Sequence, residues 1–397
     1  MELMTATDEV SWYANPDARN WRTLPVSDDA IRFHRTLSGY RPTEIAHLPV
    51  LAVELGVSRV FVKDESSRLG LPAFKILGAS YAISRALSAR FGIVDRALSL
   101  DELRERLTGE RPRLVAATDG NHGRAVAHVA NSLGLPARIF FPRSLTDTAK
   151  DAIAGEGAET VELDLSYDEL VEAAAESARS DGAGAILVQD TAWPGYEEVP
   201  QWIVDGYSTL FEEADAQLLE IGVDRVDVVV VPVGVGSLAQ AAVRHYRCTP
   251  NSPVVLTVEA ERAPGLIASL RSGRRISVNT TDTIMAGLNC GTPSAAAWPS
   301  LLAGVDAAVA VTEEQASAAV YRFDALGVDA GPCGAATLAG ARAVLTDPAR
   351  RSAVAVGADA VVLLFSTEGI AANPISISAS ADAADVTRVQ HDPSTIR

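Results

Sequence analysis

The stretch Phe61-Val62-Lys63-Asp64-Glu65-Ser66-Ser67-Arg68-Leu69-Gly70-Leu71-Pro72-Ala73-Phe74-Lys75-Ile76-Leu77-Gly78-Ala79-Ser80-Tyr81 decides how this chain is read. A β-rich apolar segment, Val60 to Val62, ends in charged residues, passes a loop containing Gly70 and Pro72, and delivers Lys75 to the start of a helix. Pro72 suits a pre-helical or first-turn position, where its fixed φ and missing N–H cost little. The small residues Gly78, Ala79, Ser80 and Ala82 leave one face of that helix thin, so that something bulky can lie close to it. With Phe74, Ile76 and Leu77 around it, Lys75 is expected in an apolar setting, where desolvation lowers its pKa and favours the neutral amine that a Schiff base requires. A surface lysine flanked by hydrophobes writes the same local pattern, so the rest of the chain has to decide.

Bulk properties narrow the choices. A chain of 397 residues, 48% of them apolar, has material for two domains with full cores. Its formal charge of -17 repels nucleic acid and anionic membrane surfaces alike. Cys248, Cys290 and Cys333 are scattered and odd in number, which fits neither a disulfide framework nor a zinc spacing and points to a reducing, cytoplasmic setting. His122 and His128 do not share a helix face and the other histidines are isolated, so no metal site is expected. The acidic N-terminus lacks the pattern of a signal peptide, and apolar runs such as Val228 to Val233 are too short to span a bilayer.

Residues up to about Arg41 lack periodicity and read as an irregular arm with short helices. Beyond them, strand-like runs recur at Val60–Val62, Leu114–Ala117, Ala137–Phe141, Thr160–Leu163, Ala185–Val188, Val226–Val231, Val254–Val258 and Val361–Phe365. Helical stretches separate them, among them Asn121 to Leu133, stopped by Gly134, and one opened by the capping box of Ser166 and Glu169. Strands alternating with helices predict an α/β protein whose mostly parallel, twisted sheets are covered by helices on both faces. Two domains are expected: a large one from residues 1–76 and 190–397, and a smaller α/β domain, 77–189, inserted into it. The small, polar segment from Ala379 onward reads as a loose tail.

Ligands of parallel sheets bind at the carboxyl ends of the strands, and four such ends carry unusual loops here. Thr118-Asp119-Gly120-Asn121-His122-Gly123 runs from a strand directly into a helix, with glycines that let several N–H groups converge into a carboxylate cradle. Asp119 is the one acid in it, and Asp-Gly pairs also serve as plain turns. Gly234-Val235-Gly236-Ser237-Leu238-Ala239 follows the next great apolar run and suits a phosphate, with Ser237 adding a hydroxyl. The same loop satisfies Gly-x-Gly-x-x-Ala, with Glu259 ending the following strand as a ribose-binding acid would, so a dinucleotide site competes. Gln189-Asp190-Thr191-Ala192-Trp193 places an acid and an aromatic where an ammonium group can be held, or where a helix is capped. Ser366-Thr367-Glu368-Gly369 offers a hydroxyl to a ring nitrogen, or is a simple strand exit.

Together these segments resemble pyridoxal-phosphate enzymes of the tryptophan-synthase β-subunit-like class (fold type II), and most closely the diaminopropionate ammonia-lyase family. The resemblance rests on the stretches beginning at Lys63, Ala73, Thr118, Gln189, Gly206, Gly234, Thr283 (Thr283-Ile284-Met285-Ala286-Gly287-Leu288) and Ser366, in the family's order. It implies a covalent cofactor lysine at Lys75, a partner for the cofactor's 3-hydroxyl at Asn121, and a phosphate cup at Gly234, Val235, Gly236, Ser237 and Leu238. It also implies Ser366 at the pyridine nitrogen and a substrate site of Thr118, Asp119, Gly120, His122 and Asp190. Asp119 is then the base for the D-isomer, Lys75 the base for the L-isomer, and Asp190 the holder of the β-ammonium. The implied reaction is α,β-elimination of ammonia from 2,3-diaminopropionate to give pyruvate, in a homodimer.

Two departures bear on the substrate. The family's Ser-Thr-Glu-Gly is usually followed by Asp-Thr-Asp, where this chain has Ile370-Ala371-Ala372, and its Gly-Glu-Ser-Gly is here Gly331-Pro332-Cys333-Gly334. They leave open a serine or threonine dehydratase, or a β-replacement enzyme. A nicotinamide-dependent dehydrogenase using Gly234 and Glu259 is a third reading, and a non-catalytic homologue a fourth.

Overall fold

Valine-rich runs form strands here because both their faces are covered, which removes the alternation of a half-exposed strand. The computed structural model describes residues 12–109, 111–249 and 252–375. The acidic N-terminal segment and the tail from Ala379 lie outside them. Eleven strands are present among the described residues: β1 Trp12–Ala14, β2 Ile45–His47, β3 Arg59–Asp64, β4 Arg113–Ala117, β5 Ala137–Pro142, β6 Glu159–Leu163, β7 Ala185–Leu187, β8 Val228–Pro232, β9 Val254–Ala260, β10 Ala307–Val311 and β11 Val361–Ser366.

They build two sheets. The larger has the order β1-β10-β9-β8-β11-β3-β2 and is parallel except for its edges, where β1 and β2 run antiparallel. The smaller, β6-β5-β4-β7, is wholly parallel. Helices lie on both faces of each, as the alternation predicts: helix Pro332–Leu345 covers one face of the large sheet, and helix Tyr167–Asp181 one face of the small. The arm before Arg41 is more ordered than expected, because Trp12–Ala14 pairs with Ala307–Val311 and closes the sheet edge. Among the described residues, no helix is long and apolar enough to cross a membrane.

Helix Lys75–Arg90 begins at Lys75 and runs without a break through residue 77, where the smaller domain was expected to start. It packs against both helix Glu198–Glu220 and helix Asn121–Leu133. The thin face read from Gly78 has its bulky occupant: a Cβ on Gly78 would lie 2.5 Å from the Tyr207 ring, and one on Gly206 2.7 Å from the Leu77 carbonyl oxygen. His34 secures the same crossing. Burial pushes its pKa down to about 3, so the ring is neutral; Nε2–H donates to the Leu77 carbonyl (2.9 Å) and Nδ1 accepts from the Thr209 hydroxyl (2.7 Å).

The loop that delivers Lys75 is held by buried charge. Lys63 Nζ donates to Glu213 (2.9 Å), and Arg68 donates to both Glu65 (2.7 Å) and Glu213 (2.7 Å), with all four side chains fully buried. Tyr40 donates to Glu213 (2.7 Å) and Thr43 to Glu65 (2.6 Å), so the acceptors are saturated. Burial raises the Glu213 pKa, but Arg68 and Lys63 outweigh it and bring it down to about 2. Removing one partner of such a cluster strands the others, at a cost of about 3–5 kcal/mol. We therefore expect Glu213→Ala to lose about that much in urea unfolding at neutral pH. The group's folded pKa is depressed, so its stabilisation is present above its ordinary value of 4.5 and fades as pH falls towards 2. The gap between wild type and variant should close over that range.

Candidate active site

The carboxyl ends of β4, β8 and β11, with the segment after β7, converge on the start of helix Lys75–Arg90 and line one cavity there. Lys75, Thr118, Asp119, Gly120, Asn121, His122, Asp190, Gly234, Val235, Gly236, Ser237 and Leu238 all line this one cavity, although they come from four separate parts of the chain. Ser366 lies just behind the wall, wholly buried, and its hydroxyl has no hydrogen-bond partner. Only a glycine fits beside it, since a Cβ on Gly334 would stand 2.7 Å from that oxygen.

Lys75 is not the neutral amine that its apolar neighbours suggest. Its Nζ donates to Asp190 Oδ2 at 2.7 Å. Burial pushes the amine's pKa down, but the Asp190 carboxylate more than reverses this and holds it above its ordinary value. Asp190 responds in kind: burial alone would raise it, but Lys75 and His122 keep it ionised, and Tyr167 donates to its second oxygen (3.1 Å). Asp119 goes the other way. Burial, then repulsion from Asp190, lifts its pKa to about 8, against a smaller pull from Lys75. The site thus holds one fixed carboxylate and one poised near neutrality, a separation that assigns different proton duties to the two acids.

Two loop expectations need correction. Gly120 (φ +133°) and Gly123 both donate to the Thr118 hydroxyl (2.9 Å each), so those amides close the loop instead of facing the cavity. The amides left for an anion are those of Asn121 and His122, first-turn residues with no acceptor within their helix. The Ser237 hydroxyl donates to the Asp190 carbonyl (2.6 Å), so the glycine turn offers an anion its backbone at the start of helix Ser237–Tyr246. Glu259 faces elsewhere: buried, with its pKa raised to about 8, it accepts from the amides of Leu266 (2.7 Å) and Ile267 (2.8 Å). A dinucleotide site loses its ribose acid.

Cys333, of the departure at Gly331 to Gly334, lines the cavity, as do Tyr167, Glu368 and Cys290, which were not anticipated in that place. Glu368 was within reach of sequence reasoning, being the acid of the Ser366 segment. Tyr167 looked like an ordinary first residue after a helix cap. Among the described residues no cluster of side chains could hold a metal ion.

A family model described as pyridoxal-phosphate dependent enzyme matches residues 36–367, and the chain belongs to that family. Within it the chain stands with the diaminopropionate ammonia-lyases. It is 38% identical to the diaminopropionate ammonia-lyase of Escherichia coli K12 over 355 residues, 86% of this chain and 87% of that one. The crystal structure of the Escherichia coli enzyme in complex with D-serine superposes with a TM-score of 0.80 at 34% identity, covering 91% of this chain and 94% of that chain. The same enzyme in complex with an aminoacrylate-PLP azomethine reaction intermediate gives 0.77 at 33%, over the same shares. The fold is therefore the tryptophan-synthase β-like one, fold type II, and the cofactor of the family is pyridoxal phosphate.

The pairing of Lys75 with Asp190 makes a measurable prediction. In Asp190→Asn the ion pair is gone while burial remains, so the amine's pKa should fall. Imine formation with added pyridoxal phosphate, trapped by borohydride at a series of pH values, should move to lower pH than in the wild type.

Proposed function

We propose that this protein eliminates ammonia from 2,3-diaminopropionate, with pyridoxal phosphate carried on Lys75, and that the released product hydrolyses to pyruvate and a second ammonia. The observation that carries this is the convergence of Lys75, an ionised Asp190 and a poised Asp119 on the cavity that the glycine turn closes.

The residues fit the cofactor. The buried Ser366 hydroxyl lacks a partner, a cost that a ring nitrogen would remove. The turn Gly234 to Leu238 presents helix N-terminal amides to a phosphate, and it must be bare, since a Cβ on Gly234 would meet the Gly287 carbonyl oxygen at 2.7 Å and Cys290 Sγ at 3.2 Å. Asn121 would hold the 3-hydroxyl. When bound, the cofactor supplies the electron sink that makes the substrate's Cα–H acidic.

The chain's own residues do the rest. The amides of Asn121 and His122 hold the substrate carboxylate and orient Cα. Lys75 takes the Cα proton of the L-isomer, and Asp119 that of the D-isomer. The ionised Asp190 carboxylate would hold the β-ammonium, which must stay protonated to leave as ammonia. A hydroxyl at Ser366 favours elimination over transamination, because it does not protonate the ring nitrogen.

We read residues 77–189 as a smaller unit that brings Asp119 and Asn121 to the cofactor. The free cysteines Cys248, Cys290 and Cys333 support a cytoplasmic setting, and the family resemblance supports a homodimer. A second reading, a dehydratase of serine or threonine, draws on Ile370–Ala372, which form a short 3-10 turn where the family is polar.

Pyruvate release decides between them. Diaminopropionate should be turned over with kcat/KM at least about 100-fold above that of serine; the reverse order would transfer the protein to the dehydratases. Lys75→Ala should show no visible cofactor band that survives borohydride and gel filtration. Asp119→Asn should lower D-isomer turnover by about 100-fold or more and leave the L-isomer within a few-fold. Because Asp119 acts only when ionised, kcat/KM for the D-isomer should rise with pH along a limb near 8, and that limb should be missing for the L-isomer.

A further inference from the structure

Glu368 is a buried carboxylate that the elimination as described does not use, and it sits at the seam between the two sheets. Its backbone is clamped from two sides. It bridges Ala73, its carbonyl accepts from the Gly331 amide (2.8 Å), and the neighbouring Thr367 carbonyl accepts from the Phe74 amide (3.1 Å). Its side chain, 3% exposed, therefore has a fixed origin next to the residue that precedes Lys75. One carboxylate oxygen accepts from the Cys333 amide (3.1 Å), at the first turn of helix Pro332–Leu345. The other accepts from Asn121 Nδ2 at 2.6 Å, across 247 residues of chain.

We propose that Glu368 is a positioning residue for Asn121, fixing the rotation of its amide and tying it to the loop that carries Lys75. Burial raises the Glu368 pKa while the hydrogen bonds from Cys333 and Asn121 pull it back down, and the contact is made by the Asn121 NH₂ on a carboxylate oxygen, so the Asn121 carbonyl oxygen is turned away from Glu368. That leaves the second N–H of the same nitrogen as a donor of set direction. Asn121 opens the helix that follows β4 of the small sheet and Glu368 lies just past the end of β11 of the large sheet, so the bond also sets the distance between the halves at the cavity mouth. Both residues line the inner chamber and the wider groove outside it, which is where the two halves meet. Without Glu368 the amide is free to turn over, and an Asn oxygen facing the cofactor's 3-oxygen would repel it. The proposal rests on the assignment of Asn121 to that oxygen.

The test is cofactor retention, measured by equilibrium dialysis of the purified holoenzyme against buffer and followed by the visible band. Glu368→Ala should raise the dissociation constant of pyridoxal phosphate about tenfold, the effect of losing one charge-assisted hydrogen bond. In an Asn121→Ala background the same substitution should add less than about twofold, because the residue it positions is gone. Glu368→Gln keeps one acceptor and a similar volume, so it guards against a variant that does not fold. It should show a smaller loss, again confined to the protein that has Asn121. Wild-type retention in Glu368→Ala, or a loss of equal size in both backgrounds for either variant, overturns the proposal. An Asn121→Ala protein that holds the cofactor as tightly as the wild type overturns the assignment of Asn121, and the proposal with it.

Discussion

A single ion pair joins the two halves of this site. Lys75 comes from the first turn of a helix that follows the large sheet's β3, and Asp190 from the segment that leaves the small sheet's β7. Each would be costly to bury alone: burial drives the amine's pKa down and the acid's up, and their contact is the largest influence reversing both. The pair is affordable because the surroundings complete it, with Tyr167 on the second carboxylate oxygen and Ser237 on the Asp190 carbonyl. Asp119 then takes its character by contrast, since a neighbouring fixed negative charge is part of what keeps it near neutrality.

That pair needs a rigid platform, which the buried network of Lys63, Glu65, Arg68 and Glu213 supplies. The network lies along the path from β3 to Lys75, and it anchors that path to helix Glu198–Glu220. So the charged residues that open the diagnostic stretch act on the reactive lysine from a distance, by holding its loop, and none of them reaches the cavity. Chemistry and much of its scaffold are written in the same stretch of chain.

Much of this could be read in the sequence, and the misses have physical reasons. Strands buried on both faces announce themselves as valine runs, so β8, β9 and β11 were plain. β10 was not, because Ala307-Ala308-Val309-Ala310-Val311 carries small side chains that a helix accepts as readily. β1 and β2 are three-residue edge strands whose existence depends on partners far along the chain. Helix limits that depend on local chemistry were clear: Gly134 ends one helix in the left-handed region, and Ser166 with Glu169 opens another. In the cavity, residue types identified the lining, but their states came from tertiary neighbours. Apolar flanks predicted a neutral Lys75, and an acid 115 residues away made it an ammonium. The Ser237 hydroxyl pointed at a phosphate on paper, and a backbone carbonyl from another loop claimed it.

The crossing at Gly78 and Gly206 has a consequence for how such a scaffold diversifies. Two helices meet there with no space for even a methyl group, and the tip of Tyr207 fills the notch. The helix bearing the reactive amine can neither slide nor roll without a steric clash, so its register is locked to a contact one turn beyond the amine. Changes of substrate in descendants of this architecture must then come from the rims, such as the turn at Ile370–Ala372 or the cavity-lining Cys333, while the amine stays where it is.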